Sequence, residues 1–264
     1  MSRFSRILIS SSFALLAFAG GCRVSRQTLY PEFVSRKPAL GPLTVLTDCM
    51  LIQGLRSDTS KIDVPDNKQL AVELLGACRD KLTSRGYTVD RTMLTSVGLL
   101  MNQRQPYRVV FTSDDRWVKD KDLPVASAPF YLDKSLAGNG NFQAALASLY
   151  ANILNVGQRD DTAKLYIPSA AVVGTAVGSG TLVVLLAGGM NVPITKVALQ
   201  TTRNPDRNEA VVAVDPVSTA SVMFYIIDVK SGEVLWEDRV FRTGRSVQHD
   251  KISDMLADIL DQIP

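Results

Sequence analysis

Apolar and polar positions alternate between two periods along this chain. Leu43 to Leu55 is largely apolar and β-compatible, so it predicts a first strand. A polar loop containing Ser57, Asp58, Thr59 and Ser60 follows. Asp66 with Gln69 three residues on reads as a capping box opening a helix. Ala71, Leu74, Leu75, Cys78 and Leu82 then fall on one stripe of that helix, and Gly86 can end it in the left-handed conformation. Tyr87 to Asp90 resumes as a strand. The unit is β-α-β, which places its two strands parallel in one sheet.

Further along, Tyr107 to Thr112 reads as a short strand. Asp114, Asp115, Arg116, Lys119, Asp120, Lys121 and Asp122 form a mixed-charge loop around Trp117. Phe142, Ala145, Leu146, Leu149, Ile153 and Val156 share one face of a helix over about 141–156, closed by Gly157. Residues 163–168 read as a strand. Ser221 to Val229 is apolar on both faces, as a central strand should be. Lys230-Ser231-Gly232-Glu233 makes a turn, and Val234 to Phe241 returns as a hairpin partner. Strict alternation there puts Leu235, Glu237, Arg239 and Phe241 on one face, with Val234, Trp236 and Val240 on the other. A last helix over about 250–263 buries Ile252, Met255, Leu256, Ile259 and Ile263. The expected fold is α/β: a mixed β-sheet with a β-α-β start, a C-terminal β-hairpin and flanking helices.

The first 22 residues obey a different pattern. Arg3 and Arg6 precede an apolar run from Ile7 to Phe18, and Ala19-Gly20-Gly21-Cys22 follows. The run is too short to cross a bilayer core of about 30 Å as a lasting helix, so it reads as a removable secretion signal. The ending resembles the bacterial lipobox, with Ala19 where Leu is usual, and makes Cys22 the lipid-attachment residue. The alternative is ordinary cleavage after Ala17-Phe18-Ala19, leaving Cys22 unmodified. Acylation would anchor the protein, since each buried CH₂ contributes about 0.8 kcal/mol. Arg23 follows the cysteine, where lipoproteins of this kind retained at the inner membrane carry Asp. Outer-membrane attachment facing the periplasm is therefore expected, the alternative being a soluble periplasmic protein. The division expected is signal peptide 1–21, a proline-containing tether 22–42, and one domain 43–264.

Composition narrows the chemistry. The chain holds 29 Lys and Arg against 26 Asp and Glu. Removing the signal takes away two of the basic residues and no acid, leaving a nearly neutral body. No basic run is concentrated enough to follow a phosphate backbone, so nucleic acid is not an expected partner. His249 is the single histidine, which excludes a multi-histidine metal site. Its place at the start of the last helix reads as a capping or surface position. Cys49 and Cys78 read as buried small residues, although an oxidising compartment permits a disulfide. No catalytic constellation, cofactor motif or metal-ligand spacing is visible. A hydrolase would have to use carboxylates such as Asp114, Asp115 or Asp228.

One segment stands apart. Between Lys164 and Lys196 no residue is charged, and the stretch is rich in glycine and valine. Three readings stay open for this insert at about 165–195: a transmembrane helix, a membrane-touching or oligomer-lining element, and a buried strand with a glycine-rich loop. Gly174, Gly178, Gly180, Leu185, Gly188 and Gly189 are its candidate membrane or subunit contacts. No phosphate-loop pattern survives, because no Lys-Ser or Lys-Thr follows the glycines.

Ile226-Ile227-Asp228-Val229-Lys230-Ser231-Gly232-Glu233-Val234-Leu235-Trp236 resembles the recurring hairpin of bacterial lipoproteins of the TolB amino-terminal-like superfamily, which includes the curli-secretion channel subunit. The opening strand, polar loop and helix ending in Arg85-Gly86-Tyr87 are similar to the same family. The resemblance implies an α/β sandwich, no catalytic residues or cofactor, and self-association or complex formation at the outer membrane. It implies a structural, assembly or accessory role in an envelope secretion or surface system. The alternative is a monomeric periplasmic module that regulates a partner protein.

Overall fold

The computed structural model describes residues 23–29, 32–56, 59–98, 108–112, 117–118, 136, 138–156, 164–191, 218–244 and 246–264. Among them one mixed sheet forms the middle layer. Its strands are β1 (Arg23–Leu29), β2 (Leu43–Arg56), β3 (Thr59–Asp63), β4 (Val89–Val97), β5 (Arg108–Thr112), β6 (Trp117–Val118), β7 (Thr181–Asn191), β8 (Ser218–Asp228) and β9 (Val234–Gly244). The spatial order is β1-β9-β8-β7-β2-β3-β5-β6, with β4 also on β2. The 14-residue β2 organises the layer. It runs parallel to β7 along one edge. On its other edge β4 pairs parallel over Leu43–Cys49, and β3 pairs antiparallel from Ile52 onward. The expected parallel β-α-β unit is present.

Helices cover both faces. On one face α2 (Val64–Ser84) and α5 (His249–Leu260) pack Leu70, Leu74, Cys78, Ile252, Met255 and Ile259 against Val45, Cys49, Val183, Leu185, Phe224 and Trp236. On the other, α3 (Gly140–Val156) and α4 (Ser169–Val177) pack Phe142, Leu146, Tyr150, Ala170 and Val173 against Leu46, Leu182, Val184, Tyr225 and Ile227. Each large apolar side chain so buried contributes about 1.5–3 kcal/mol against full exposure. Phe224 and Trp236 meet edge-to-face, centroids 5.4 Å apart.

Several expectations are corrected. Helix α2 begins two residues before Asp66. Its cap is Asp63, whose side chain accepts from the Asp66 amide at 3.3 Å. Pro65 explains the shift, because its fixed φ and missing N–H suit the first helical turn. Gln69 bonds Glu73 at 3.0 Å rather than closing a box. The end is as expected, with Gly86 at φ +85°. Residues 163–168 supply no strand among the described residues. Instead Tyr166 bridges Glu233, and Ile167 N–H donates to Gly232 O at 2.7 Å.

The β8–β9 hairpin forms as read, but its alternation breaks. A bulge lies where Ile226 and Ile227 face Trp236 and Val234, leaving Leu235 as the extra residue. Leu235 therefore joins Trp236 and Val240 in the α2–α5 core, and Val234 turns to the α3–α4 core. Trp117 lies in β6 instead of a loop. Asp114, Asp115 and Gly157 lie outside the described residues.

The stretch read as a tether is also corrected. Residues 23–29 form β1, antiparallel to β9 from Arg23↔Arg242 to Leu29↔Trp236. A short helix α1 (Phe33–Arg36) and a 3₁₀ turn follow, and Phe33 is buried in the α2–α5 core.

Candidate functional site

As far as Asn191, the uncharged segment forms a helix with one exposed face and a buried central strand. Ser169–Val177 is α4, Gly178 closes it at φ +67°, and Thr181–Asn191 is the central strand β7. Among the described residues no helix is long and apolar enough to cross a membrane. The reading that fits is the buried strand with a glycine-containing connection, preceded by a helix. Leu185 is fully buried between the layers, so it is not a surface contact. Gly174 lies inside as well, where a Cβ would overlap the Val229 side chain. Gly188 and Gly189 lie at the far end of β7. A Cβ on Gly189 would sit 2.7 Å from Thr219 O, so the close approach of β8 requires glycine there. Gly178 and Gly180 lie at the opposite end of the strand. The six candidate positions therefore do not converge on one surface.

The polar groups form two separate arrangements. The first is a clasp at the β8–β9 turn. Arg36 from α1 reaches Glu233 at 2.6 Å and Asp228 at 3.2 Å. Lys164 joins Glu233 and Glu32 at 3.2 Å each. Burial pushes the Glu233 pKa up, but the hydrogen bonds and charges of Arg36 and Lys164 outweigh it and hold the carboxyl below its ordinary value. Asp228 also accepts from the Lys230 amide and the Ser231 hydroxyl. Its oxygens are engaged in shaping the turn, an arrangement that stabilises a hairpin rather than exposing a nucleophile or base. The sequence offers no local signal for this clasp, since Arg36 and Glu233 are 197 positions apart.

The second arrangement is a buried row between β2, β4 and α3. The Thr47 hydroxyl donates to Leu185 O at 2.8 Å, and Thr95 donates to Thr47 O at 2.9 Å. Thr95 also meets the Tyr150 hydroxyl, and Ser96 donates to the Asp48 carboxylate. Asp48, Ser96 and Tyr150 are fully buried. Burial first, then the Asp48 charge, raises the Tyr150 pKa well above the ordinary phenol. The row fastens α3 to the sheet centre.

His249 opens α5 and is partly buried, 3.1 Å from Asp66 and 3.7 Å from Glu73, where it joins the starts of α5 and α2. Cys49 and Cys78 are both free and buried. Among the described residues, no three His, Cys, Asp or Glu side chains are grouped to hold a metal ion. Cys22 lies outside the described residues, immediately before β1.

No protein-family model matches this chain, and no curated protein matches it. Solved structures do match, at low similarity. A PelC dodecamer from Paraburkholderia phytofirmans is 14% identical, over 90% of this chain and 95% of that one, with a TM-score of 0.34. Lipoprotein GNA1162 from Neisseria meningitidis is 10% identical, over 84% of this chain and 97% of that one, with a TM-score of 0.29. At these scores the likeness carries neither family nor function, and both rest on this chain's own residues.

Proposed function

We propose that this chain is a lipid-anchored protein of the bacterial envelope, with a non-enzymatic role. It acts as a structural, assembly or accessory component of a secretion or surface system, in association with protein partners or copies of itself. The observation that carries the reading is Ala19-Gly20-Gly21-Cys22 directly after an apolar signal and directly before β1. The engagement of Asp228 by the turn and by Arg36 supports a non-enzymatic role, since it was the one candidate carboxylate within the described residues. Strand β1 supports association, because it is outermost among the described strands, and an edge strand presents backbone groups to a further chain.

Intact mass of the membrane-extracted protein, beside Cys22→Ala, tests the anchor. The expected result is an acyl mass increase that the substitution abolishes. An unmodified mass beginning at Gly20 refutes it. Sedimentation of the detergent-solubilised protein tests association, and a strict monomer that captures no partner refutes that part.

A further inference from the structure

The position of β1 fixes how an anchored chain must stand on a bilayer, an inference that rests on lipidation of Cys22. Arg23 is the first residue of β1 and lies opposite Arg242 near the end of β9. Neighbouring Cα atoms are 3.8 Å apart, so an acylated Cys22 holds this row of the sheet at the headgroups. The same end carries Ser218 opposite Gly244, and Asn191, whose carboxamide makes paired bonds of 2.6 and 2.8 Å with the Val247 backbone. Among the described residues this rim carries Arg23 and Arg242 beside the uncharged Thr219, Thr243, Gly244 and Ser246.

The chain after β1 leaves little slack. It follows β9 to Trp236, buries Phe33, and is clasped by Arg36 onto Glu233 and Asp228 at the opposite end. Residues 23–29 and 32–36 are thus fastened toward opposite ends of the sheet. The ten steps from Val234 to Gly244 in β9 rise about 33 Å, which sets the distance between the two ends.

We propose that the Ser218–Gly244 end of the sheet rests against the lipid headgroups, and that the β8–β9 turn stands about 33 Å away from them. Gly188 and Gly189 then lie on the membrane side. Gly178, Gly180 and the exposed Tyr166 lie toward the distal end, out of reach of lipid.

The test uses the full lipidated protein in phosphatidylethanolamine–phosphatidylglycerol vesicles carrying a nitroxide headgroup quencher. A fluorophore is placed through Ser246→Cys or Lys230→Cys, both exposed positions. Cys22 is blocked by its lipid, and Cys49 and Cys78 are buried. Quenching at position 246 is expected to exceed that at 230 by about fivefold or more, given contact quenching and a separation of about 33 Å. Equally weak quenching at both positions overturns the inference, because residues 23–42 would then act as a loose tether. Stronger quenching at 230 overturns it by reversing the orientation. The mass of the same sample separates the two failures. An acylated protein with either adverse pattern refutes the orientation alone, whereas an unmodified protein refutes the anchor and the orientation together.

Discussion

Asn67 performs the work of a missing strand. Along one edge of β2, β4 pairs as far as Cys49 and β3 begins at Ile52, so Leu51 falls in the gap. The Asn67 carboxamide fills it from the first turn of α2. Its oxygen accepts from Leu51 N–H at 2.5 Å, and its nitrogen donates to Leu51 O at 3.1 Å and Asp63 O at 2.8 Å. Asn67 is fully buried. Asn67→Ala therefore orphans a buried backbone donor and acceptor, at about 1–3 kcal/mol each. Better helix propensity returns about 0.5 kcal/mol. The expected net loss is about 3–4 kcal/mol, a large fraction of the 5–15 kcal/mol typical of a domain. Urea unfolding of the signal-free chain, followed by far-UV circular dichroism, measures it. Asn67→Asp adds a check on the cause. The carboxylate keeps the acceptor for Leu51 N–H but faces two carbonyls, so its folded pKa rises above the unfolded value of about 3.9. When protonated it can donate to Leu51 O. The variant should approach wild type below the unfolded pKa, lose stability as pH rises toward the folded pKa, and level off above it. A loss under about 1 kcal/mol for Asn67→Ala, or a pH-independent Asn67→Asp, would refute the gap-filling account.

Three other outcomes are expected. Gly174→Ala should destabilise by about 1–3 kcal/mol, because its methyl overlaps the stiff Val229 side chain; a thermal melt unchanged from wild type contradicts the packing. Arg36→Ala should weaken the clasp by about 1 kcal/mol at neutral pH, a modest value because Arg36 is a third exposed. Since Glu233 has a depressed folded pKa, that contribution is present above its unfolded pKa and disappears as pH falls through the folded value. Urea titrations of both proteins should converge in acid, and a constant gap opposes the assignment. Burial pushes both internal thiols upward, so in Cys22→Ser a thiol reagent should label neither Cys49 nor Cys78 until denaturant is added, and then both. Rapid labelling of the folded protein would show that α2 does not seal this core.

Much of the fold is legible because local pattern and tertiary burial agree. The apolar stripes of α2, α3 and α5 are the faces that pack, and the Gly232 turn at φ +72° closes the hairpin where the sequence places it. The departures come from contacts that no window of sequence contains. Arg23-Val24-Ser25-Arg26-Gln27-Thr28-Leu29 mixes charge and polarity with little apolar content, so its strand character depends on β9 rather than on its own pattern. The bulge at Leu235 reverses a face assignment that strict alternation makes inevitable. Asp48 lies in β2 and Tyr150 in α3, and no local pattern links them. Only folding places their charges and hydroxyls in one buried row.

The uncharged segment shows why composition alone left membrane and interior unresolved. A membrane element and a doubly covered central strand face the same requirement, because neither can expose charge to an apolar surrounding. Strand β7 meets it with helices on both sheet faces and β2 and β8 on both edges, so Leu182 to Ala187 are buried without any lipid. What separates the cases is the backbone. A membrane helix would satisfy its own amides across Gly178 and Gly180, whereas here Gly178 terminates α4 in the left-handed conformation and Ser179 N–H returns to Gly174 O at 2.9 Å. The chain is thereby stopped and redirected into β7. The glycines that suggested helix contacts instead serve a helix stop, a close contact with Val229 and the tight approach of β8. On the proposed reading, membrane attachment then rests on Cys22, the residue that precedes β1 in the chain, and not on this segment.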